Sequence, residues 1–408
     1  MQFLGRALRV FGFVACAFWM AGGPSGAQIP VSPNTNPTFH TATHLVVVNV
    51  VATDRDGKPI SGLKKQDFKL SEDGKVQSIQ VFESHMPSRQ SSVVPDMGPD
   101  QHTHFPNFAA DGAINAILFD LLNTLAEDQS YAKQQLIEFL GTLPHGQRVA
   151  LFTLNGDLRM VGDFTTPTQE LIAAVNILHP SISSLLPDRN REGWRANNIY
   201  SAAYSWPSNS NTPEPAMPIV GNETAWWWAD MRFQQTFEAM GKIANALSGY
   251  AGRKNLLWLS GGFPGAVSLN RKEPRFESSD YLAIFQKYSG KLESSQISLY
   301  PIDLQGLNNT GRPGIPESSE NVSTAIDSRQ AMDEIAAQTG GCAFYNMSDL
   351  RLAMQRSIEH GATYYTLAYS PRNQKWNGAF RRITVKVNLP GVKLDYREGY
   401  YATKDRLP

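Results

Sequence analysis

The residues best suited to chemistry are an aspartate that ends an apolar run and the amide and hydroxyl side chains that follow it. The run 113–119 leads into Asp120, and Asn123 and Thr124 come directly afterwards. In open parallel α/β sheets, ligands bind beyond the carboxyl ends of the strands, which is where this pattern puts Asp120. A carboxylate beside a hydroxyl suits a hard divalent cation such as Mg²⁺, which prefers oxygen ligands. Asp120 is therefore the first candidate for a site.

Other patterns that carry catalysis are incomplete in this sequence. Ser260 follows an apolar run, but Trp258 stands where the nucleophile elbow of a hydrolase requires glycine. There is no Gly-x-x-x-x-Gly-Lys-Ser/Thr loop for a phosphate, and His102 with His104 is too small a set to enclose a metal. We therefore predict no enzymatic activity, no catalytic residue and no certain cofactor. A metal-assisted or serine hydrolase of the cell envelope is the alternative.

Three consecutive tryptophans, Trp226, Trp227 and Trp228, are a candidate partner-binding group. Three neighbouring indoles cannot all face one core, so at least one is expected to be partly exposed. Exposed apolar side chains often mark interfaces, and these stand beside the long Ser-, Pro- and Asn-rich segment 180–222. The alternative is that the indoles pack under that segment.

Alternating strands and helices between residues 112 and 361 predict the scaffold that positions Asp120. Apolar runs predict strands that end near 120, 154, 260 and 303, and three- to four-residue apolar spacing predicts helices between them. Strands that alternate with helices form a parallel sheet covered on both faces. The predicted fold class is therefore α/β: a doubly wound, mostly parallel, Rossmann-like sheet, with 180–222 as an insertion.

Both ends of the chain instead carry the short alternating runs of antiparallel strands. The first part is 44–83, which includes a hairpin signal at 54–59, and the second part is 362–403. Each has too few strands to be stable alone. We therefore predict that the two ends pair into one additional β-sandwich-like domain. The α/β domain is inserted between them, and 84–111 forms a linker.

Residues 1–27 have the features of a secretory signal peptide. Arg6 and Arg9 precede the apolar run 10–20, and small residues precede the expected cleavage site after Ala27. A retained membrane anchor is the alternative, although the run is short for a bilayer span. We expect 28–43 to be a flexible leader. The mature protein is expected to be exported and to be periplasmic, held in the cell envelope or secreted.

The charge balance bears on which partners the protein could bind, and the cysteine content bears on whether a disulfide stabilises it. Lys and Arg total 37 and Asp and Glu total 37, so nothing favours nucleic acid or an anionic membrane as a partner. Removal of 1–27 leaves Cys342 as the single cysteine, which cannot form an internal disulfide. We interpret Cys342 as a small core side chain. No transmembrane segment is predicted in the mature chain.

The order of these motifs resembles a von Willebrand factor type A (VWA) domain, and more narrowly the secreted VWA-related proteins common in acidobacteria. The similar stretches in the α/β part are 117–124, 148–154 and 252–262, and those in the chain ends are 54–60, 364–370 and 397–401. They span nearly the whole mature chain. The resemblance implies a doubly wound sheet that carries a metal-ion-dependent adhesion site.

The resemblance also implies which residues would hold the metal. The family's site uses Asp-x-Ser-x-Ser after the first strand of the sheet, then a later Thr and a later Asp. Asp120 and Thr124 match the first and fifth positions of the first motif. Thr236 stands for the later Thr, and Asn123 replaces a serine oxygen if the loop shifts.

Two positions of that site supply no oxygen in this sequence, because Leu122 and Gly261 occupy them. We therefore expect a degenerate adhesion site with at most weak affinity for Mg²⁺ or another divalent cation. The predicted function is an exported, non-enzymatic module for protein–protein binding or adhesion, with a partner in the cell envelope or outside the cell. Its face is formed by 121–128, 180–222, 261–275 and 304–324. A structural envelope component without a discrete ligand is a further alternative.

Overall fold

The computed structural model describes residues 45–86, 113–185 (without 145, 146, 148, 182 and 184), 220–262, 278–304 and 319–403 (without 346 and 348). All of them belong to one unit, Thr43–Pro408. The predicted signal peptide 1–27, the leader 28–43, and most of the linker 84–111 and of the insertion 180–222 lie outside these residues. No helix in the described stretches is long and apolar enough to cross a membrane.

In the described stretches, strands near both chain ends flank a region of alternating strands and helices. The strands, numbered along the chain, are β1 (Val46–Thr53), β2 (Phe68–Glu72), β3 (Lys75–Gln77), β4 (Val81–His85), β5 (Ile114–Asp120), β6 (Val149–Asn155), β7 (Asp157–Gly162), β8 (Lys254–Ser260), β9 (Ile297–Asp303), β10 (Tyr364–Tyr369), β11 (Phe380–Val387), β12 (Lys393–Asp395) and β13 (Gly399–Tyr401). The α-helices are α1 (Ala126–Thr142), α2 (Thr168–Asn176), α3 (Val220–Leu247), α4 (Ser278–Ser294), α5 (Ser319–Thr339) and α6 (Leu350–Ala362).

The central sheet is mostly parallel and has the strand order β7-β6-β5-β8-β9. Strand β7 alone runs antiparallel to its neighbour, and β5, at the centre, pairs in parallel with both β6 and β8. Every residue of β8 and of β9 is buried. Such uninterrupted burial is expected where helices cover both faces of a parallel sheet. The predicted α/β class with a mostly parallel sheet is confirmed.

Helices α3, α4 and α5 cover one face of this sheet, and α1, α2 and α6 cover the other. Because successive side chains of a strand point to opposite faces, β5 contributes to both cores. Leu118 belongs to the core that includes Phe237 of α3, whereas Phe119 belongs to the core that includes Leu136 of α1. Strand β5 is therefore packed between two apolar cores, which fixes the position of Asp120 at its end.

Strands from the two chain ends pair in two four-stranded antiparallel sheets, with the orders β12-β1-β10-β4 and β13-β11-β2-β3. Each sheet contains strands from both ends: Val48 of β1 lies opposite Leu367 of β10, and Leu70 of β2 lies opposite Val385 of β11. These four side chains share one apolar core with Tyr400. Neither end therefore forms its sheets without the other.

The first chain end differs from its predicted extent, 44–83, because its last strand, β4, continues past residue 83. Asp73 and Gly74 both have positive φ, at 47° and 77°, which closes a tight hairpin between β2 and β3. The chain then crosses to the other sheet, where β4 pairs with β10 through to His85. The predicted linker at 84–111 thus begins inside a strand.

Helix α3 also begins earlier than predicted. It starts at Val220, inside the segment 180–222 that was predicted as an insertion, and continues for 28 residues. Its predicted apolar stripe is buried against the sheet, with Phe233, Phe237 and Met240 all at 0% exposure. Thr236 lies on the same face of α3 as these apolar residues, so it is buried against the sheet as well.

Candidate functional site

Asp120 is completely buried at the carboxyl end of β5 and accepts four hydrogen bonds from its own chain. Its Oδ1 accepts from the backbone N–H of Asn123 at 3.1 Å. Its Oδ2 accepts from Asn123 Nδ2 at 2.8 Å, from Trp258 Nε1 at 2.9 Å and from Ser260 Oγ at 3.1 Å. The carboxylate is therefore enclosed by donors.

The electrostatic environment of Asp120 reflects this burial. Desolvation raises the pKa of Asp120, and the hydrogen bonds from Asn123, Trp258 and Ser260 lower it; the net direction is upward. Arg232 of α3 is close enough for its charge to interact with Asp120. Burial lowers the pKa of Arg232 to about 10, whereas the charge of Asp120 favours the protonated form. The hydrogen bonds from Asn123, Trp258 and Ser260 are therefore the main compensation for burial of the carboxylate.

Asn123 joins Asp120 to Thr236, which is 113 residues away in the chain. Asn123 Nδ2 lies 2.8 Å from Asp120 Oδ2 and also 2.8 Å from Thr236 Oγ1. Asn123 is 6% exposed and Thr236 is 0% exposed. The structure therefore brings Asp120, Asn123 and Thr236 into one hydrogen-bonded group, with the amide nitrogen between the two oxygens.

Thr124 is close to this group, but its hydroxyl is directed to the backbone. Thr124 Oγ1 donates to the carbonyl of Asp120 at 2.5 Å and accepts from the N–H of Gly261 at 2.9 Å. These bonds link the loop after β5 to the loop after β8. All four predicted metal-binding residues, Asp120, Asn123, Thr124 and Thr236, thus lie together, and apart from Asn123 Oδ1 their side-chain polar atoms already bond to one another, to neighbouring side chains or to the backbone.

The position at which the family resemblance requires an aspartate has no room for a side chain. A Cβ atom on Gly261 would lie 2.8 Å from the carbonyl oxygen of Asn123 and 2.9 Å from Cα of Thr124. Both are backbone atoms, so the loop itself would have to move. The other position without an oxygen, Leu122, has its side chain in the apolar core at 1% exposure.

A short segment after α2 covers the group. Gln129 Nε2 donates to the carbonyl of Ser181 at 2.9 Å, and Gln129 Oε1 accepts from the N–H of Ser181 at 2.9 Å. Arg232 Nη1 donates to the carbonyl of Leu185, and Ser183 between them is 6% exposed. Ser181 and Leu185 are therefore fixed by Gln129 and Arg232, next to the loop after β5 that Gln129 also contacts.

These contacts do not fit a divalent cation of the kind that the family resemblance implies. Mg²⁺ requires near-octahedral oxygen ligands at about 2.0–2.1 Å. The oxygens of Asp120 face donors, and Leu122 and Gly261 offer no ligand atom. Within the described stretches, no cluster of three or more His, Cys, Asp and Glu side chains could hold a metal ion.

Three residues of the site were missed as such by sequence reasoning: Trp258, Ser260 and Arg232. Trp258 and Ser260 were considered only as parts of a failed nucleophile motif. Ser260 ends β8, and β8 pairs in parallel with β5 so that Ser260 lies opposite Asp120. A polar residue at the end of an adjacent apolar run was the available signal. Arg232 carried none, because its approach depends on how α3 packs.

The tryptophan prediction falls partly outside the described residues. Trp226, Trp227 and Trp228 lie in α3, in the turns that precede Arg232. The positions of their side chains are outside the described part of the structure. Their proposed role in partner binding stays a prediction.

A second polar group lies where the central sheet meets the strands of the chain ends. His360 of α6 joins Tyr300 of β9 to Asp395 of β12, with Nδ1 3.0 Å from the phenol oxygen and Nε2 3.0 Å from Asp395 Oδ2. Burial raises the pKa of Tyr300 to about 12, so the phenol stays protonated at neutral pH. Arg253 Nη2 donates to the same phenol oxygen at 2.9 Å. We interpret this group as a structural connection.

No family model matches the chain, and no curated protein matches it. Three solved structures have low similarity to it. An aerotolerance-related membrane protein from Bacteroides fragilis NCTC 9343 is 14% identical, with 60% of this chain and 98% of that chain covered and a TM-score of 0.30. The conserved hypothetical protein BatB from Bacteroides thetaiotaomicron is 13% identical, with 60% and 97% covered and a TM-score of 0.28. A von Willebrand factor type A structure from Catenulispora acidiphila is 12% identical, with 72% and 67% covered and a TM-score of 0.31. These values assign the chain to no family.

Proposed function

We propose that this protein is an exported, non-enzymatic binding module of the VWA kind, which contacts a protein partner through the carboxyl edge of its central sheet without a metal ion. The observation that carries the proposal is the closed state of Asp120, which four donors of the same chain enclose. That the module is of the VWA kind is inferred from the sequence resemblance described above.

Burial of the polar group favours binding over catalysis. A catalytic acid, base or nucleophile must come within hydrogen-bonding distance of its substrate. Asp120, Thr236 and Ser260 are each 0% exposed, and the hydroxyl of Ser260 lies 3.1 Å from the carboxylate of Asp120. Among the described residues, the polar side chains of this group are therefore out of reach of a substrate, and their hydrogen bonds hold the loops in place.

The carboxyl edge suits a binding surface because a rigid sheet positions its loops there. Loops that a rigid scaffold holds in place commonly carry binding residues. The loop after β5 is tied to the loop after β8 by Thr124, and it is tied to the segment 181–185 by Gln129. We interpret the two antiparallel sheets of the chain ends as a sandwich that attaches this face to the cell envelope or to a larger assembly.

Site-specific photo-crosslinking tests the proposal, with a matched control on the same helix. Ser130 is exposed in the first turns of α1, beside the loop after β5, whereas Thr142 is exposed at the other end of α1. A photo-crosslinking amino acid at position 130 should capture a defined envelope protein equally well in EDTA and in Mg²⁺, and the same amino acid at position 142 should not. Capture from both positions, or from neither, would contradict the proposed face.

A hydrolase probe separates the enzymatic alternative from the proposal. A serine-directed fluorophosphonate should leave the native protein unlabelled, because the hydroxyl of Ser260 is buried beside Asp120. Labelling at Ser260 that disappears in Ser260→Ala would favour the hydrolase instead.

Replacement of Trp227 by Ala should weaken partner capture from position 130 if the tryptophans belong to the same face.

A further inference from the structure

We infer that the side-chain amide of Asn123 takes the place of a divalent cation at the carboxyl end of β5, so that the site is assembled permanently without metal. This inference concerns how the site is built. It stands whether or not the proposed partner is found, because its test measures cation binding and folding stability rather than partner capture.

The position of the amide nitrogen carries the inference. Asn123 Nδ2 lies 2.8 Å from Asp120 Oδ2 and 2.8 Å from Thr236 Oγ1, so it bridges oxygens supplied by a strand end and by a helix. The NH₂ group of an amide has two donors, one for each oxygen. A cation bound to the same two oxygens would stand about 2.0–2.6 Å from each, which overlaps the nitrogen. The amide and a cation therefore exclude each other.

The orientation of the amide follows from the chemistry of its neighbours. Asp120 Oδ2 also accepts from Trp258 Nε1, which can only donate, and the amide nitrogen of Asn123 faces the same oxygen as a second donor. Asn123 Oδ1 is buried and has no hydrogen-bond partner among the described residues. The amide is thus held by its nitrogen alone, at the point between Asp120 and Thr236.

The positive charge of Arg232 favours an ionised Asp120 without an ion pair between them. An amide is neutral, and a buried carboxylate is unfavourable without a compensating charge. The charges of Arg232 and Asp120 interact, and the guanidinium is anchored to the carbonyl of Leu185. Asn123 therefore supplies the bridging geometry of a metal ion, whereas Arg232 forms no ion pair with Asp120 and its charge acts only from a distance.

The two positions without ligand oxygens are filled in a way that agrees with this replacement. Leu122 is part of the apolar core, and the loop backbone at Asn123 and Thr124 packs directly on Gly261. Neither position therefore leaves room for a ligand atom.

Asn123→Asp is the first test, because it exchanges the amide nitrogen for an oxygen at nearly constant size. Two carboxylates about 3 Å apart cannot both ionise without a cation. We expect the melting temperature to fall by roughly 5 °C or more in EDTA and to rise again with increasing Mn²⁺ or Mg²⁺, as for a ligand that binds only the native state. Calorimetry should detect Mn²⁺ binding to the variant and none to the unmodified protein. If Asn123→Asp folds only when Mn²⁺ is present, that result also supports the inference.

Asn377→Asp is the matched control. Asn377 is exposed before β11, and the change adds the same charge far from Asp120 in the sequence. Its melting temperature should not respond to Mn²⁺ beyond that of the unmodified protein. An equal response in this variant would mean that added charge alone attracts the cation, and the inference would fail.

Asn123→Ser is a second variant that adds no charge. It removes the bridging nitrogen and leaves Asp120 and Thr236 facing each other, so electron paramagnetic resonance should detect Mn²⁺ binding that the unmodified protein lacks. The inference is overturned if neither Asn123 variant responds to a cation. It is also overturned if the unmodified protein binds Mn²⁺ and Asp120→Ala abolishes that binding.

Discussion

Gly261 shows how a single missing atom determines the shape of the site. Its N–H donates to Thr124 Oγ1 at 2.9 Å, and its Cα lies where any Cβ would strike the backbone of the loop after β5. The close approach of the two loops leaves no room at position 261 for the aspartate that the family resemblance implies there. Glycine at this position is therefore needed for the close approach of two loops, whereas a relaxed loop would accept a larger residue.

Gly261→Ala should lower the free energy of unfolding by about 1–3 kcal/mol, because the methyl group forces the two loops apart. Urea unfolding followed by tryptophan fluorescence measures the change. Gly290→Ala is the control: Gly290 lies inside α4, and a Cβ there would meet no atom within 4 Å. That change should stabilise the protein by about 1 kcal/mol, since alanine favours helix. Equal effects of the two changes would disprove the tight contact at Gly261.

Helix α1 and the loop before it depend on one side chain, Gln129. The residue before α1, Leu125, makes no side-chain hydrogen bond to cap the helix. Gln129 Nε2 instead donates back to the carbonyls of Leu121 and Thr124, at 3.2 and 2.7 Å, and across to Ser181. The amide thus joins a helix, the loop that contains Asn123 and the covering segment.

Gln129→Ala should cost about 1–3 kcal/mol of unfolding free energy, since it leaves buried carbonyls without a donor. The amide hydrogen of Ser181 donates to Gln129 Oε1, so its exchange with solvent should become faster in the variant. Hydrogen exchange followed by mass spectrometry measures both effects.

Gln134→Ala on the same helix is the control for that variant. Gln134 is exposed and its amide bonds to Glu138 on the surface, so the change should alter neither stability nor exchange at Ser181 appreciably. Unchanged exchange at Ser181 in Gln129→Ala would show that the covering segment is held in another way.

At the scale of the whole molecule, polar side chains connect the central sheet to the strands of the chain ends. The N–H of Arg253, just before β8, donates to the phenol of Tyr364 in β10 at 3.2 Å. His360 of α6 bonds to Asp395 of β12 at 3.0 Å, and Arg397 pairs with Glu293 of α4. Charged contacts of this kind depend on pH, so the joint between the two parts should depend on pH as well.

Asp395→Asn should reveal this dependence. Burial by itself raises the pKa of Asp395, but the hydrogen bond and charge of His360 and the charge of Lys393 outweigh it, so the pKa lies below its usual value of 3.8. A lowered pKa in the folded state contributes stability at higher pH, and that stability is lost as pH falls through the folded-state pKa. The variant should be less stable by about 1–3 kcal/mol at pH 7, because it loses a hydrogen bond to a charged group.

The difference between Asp395→Asn and the unmodified protein should then begin to shrink below about pH 4, because the carboxylate takes up a proton in the unfolded chain before it does so in the folded protein. Urea unfolding between pH 7 and pH 3 measures it. Asp157→Asn, at an exposed position of β7, serves as the control and should cost little at any pH. A difference that stays constant over the whole pH range would show that the carboxylate of Asp395 carries no such stability.

The sequence by itself determined the elements and their class, because local patterns carry that information. Uninterrupted apolar runs predicted β5, β8 and β9, and the spacing of Phe233, Phe237 and Met240 predicted the long helix α3. Periodicity involves residues within a few positions of one another, so it can be read without knowledge of the fold. The same limit explains the errors at element ends, such as the extension of β4 to His85, which depends on pairing with a distant strand.

Tertiary structure alone decided what Asp120 does. The sequence placed it at a strand end near Asn123, but Trp258 and Ser260 reach it from 138 and 140 residues away, and Thr236 joins the group from 113 residues away. Which donors surround a carboxylate depends on strand order, register and helix packing, and these are set by contacts between remote parts of the chain. For that reason the same sequence pattern is compatible with an open cation site or, as here, with a closed network in which an amide nitrogen bridges the oxygens.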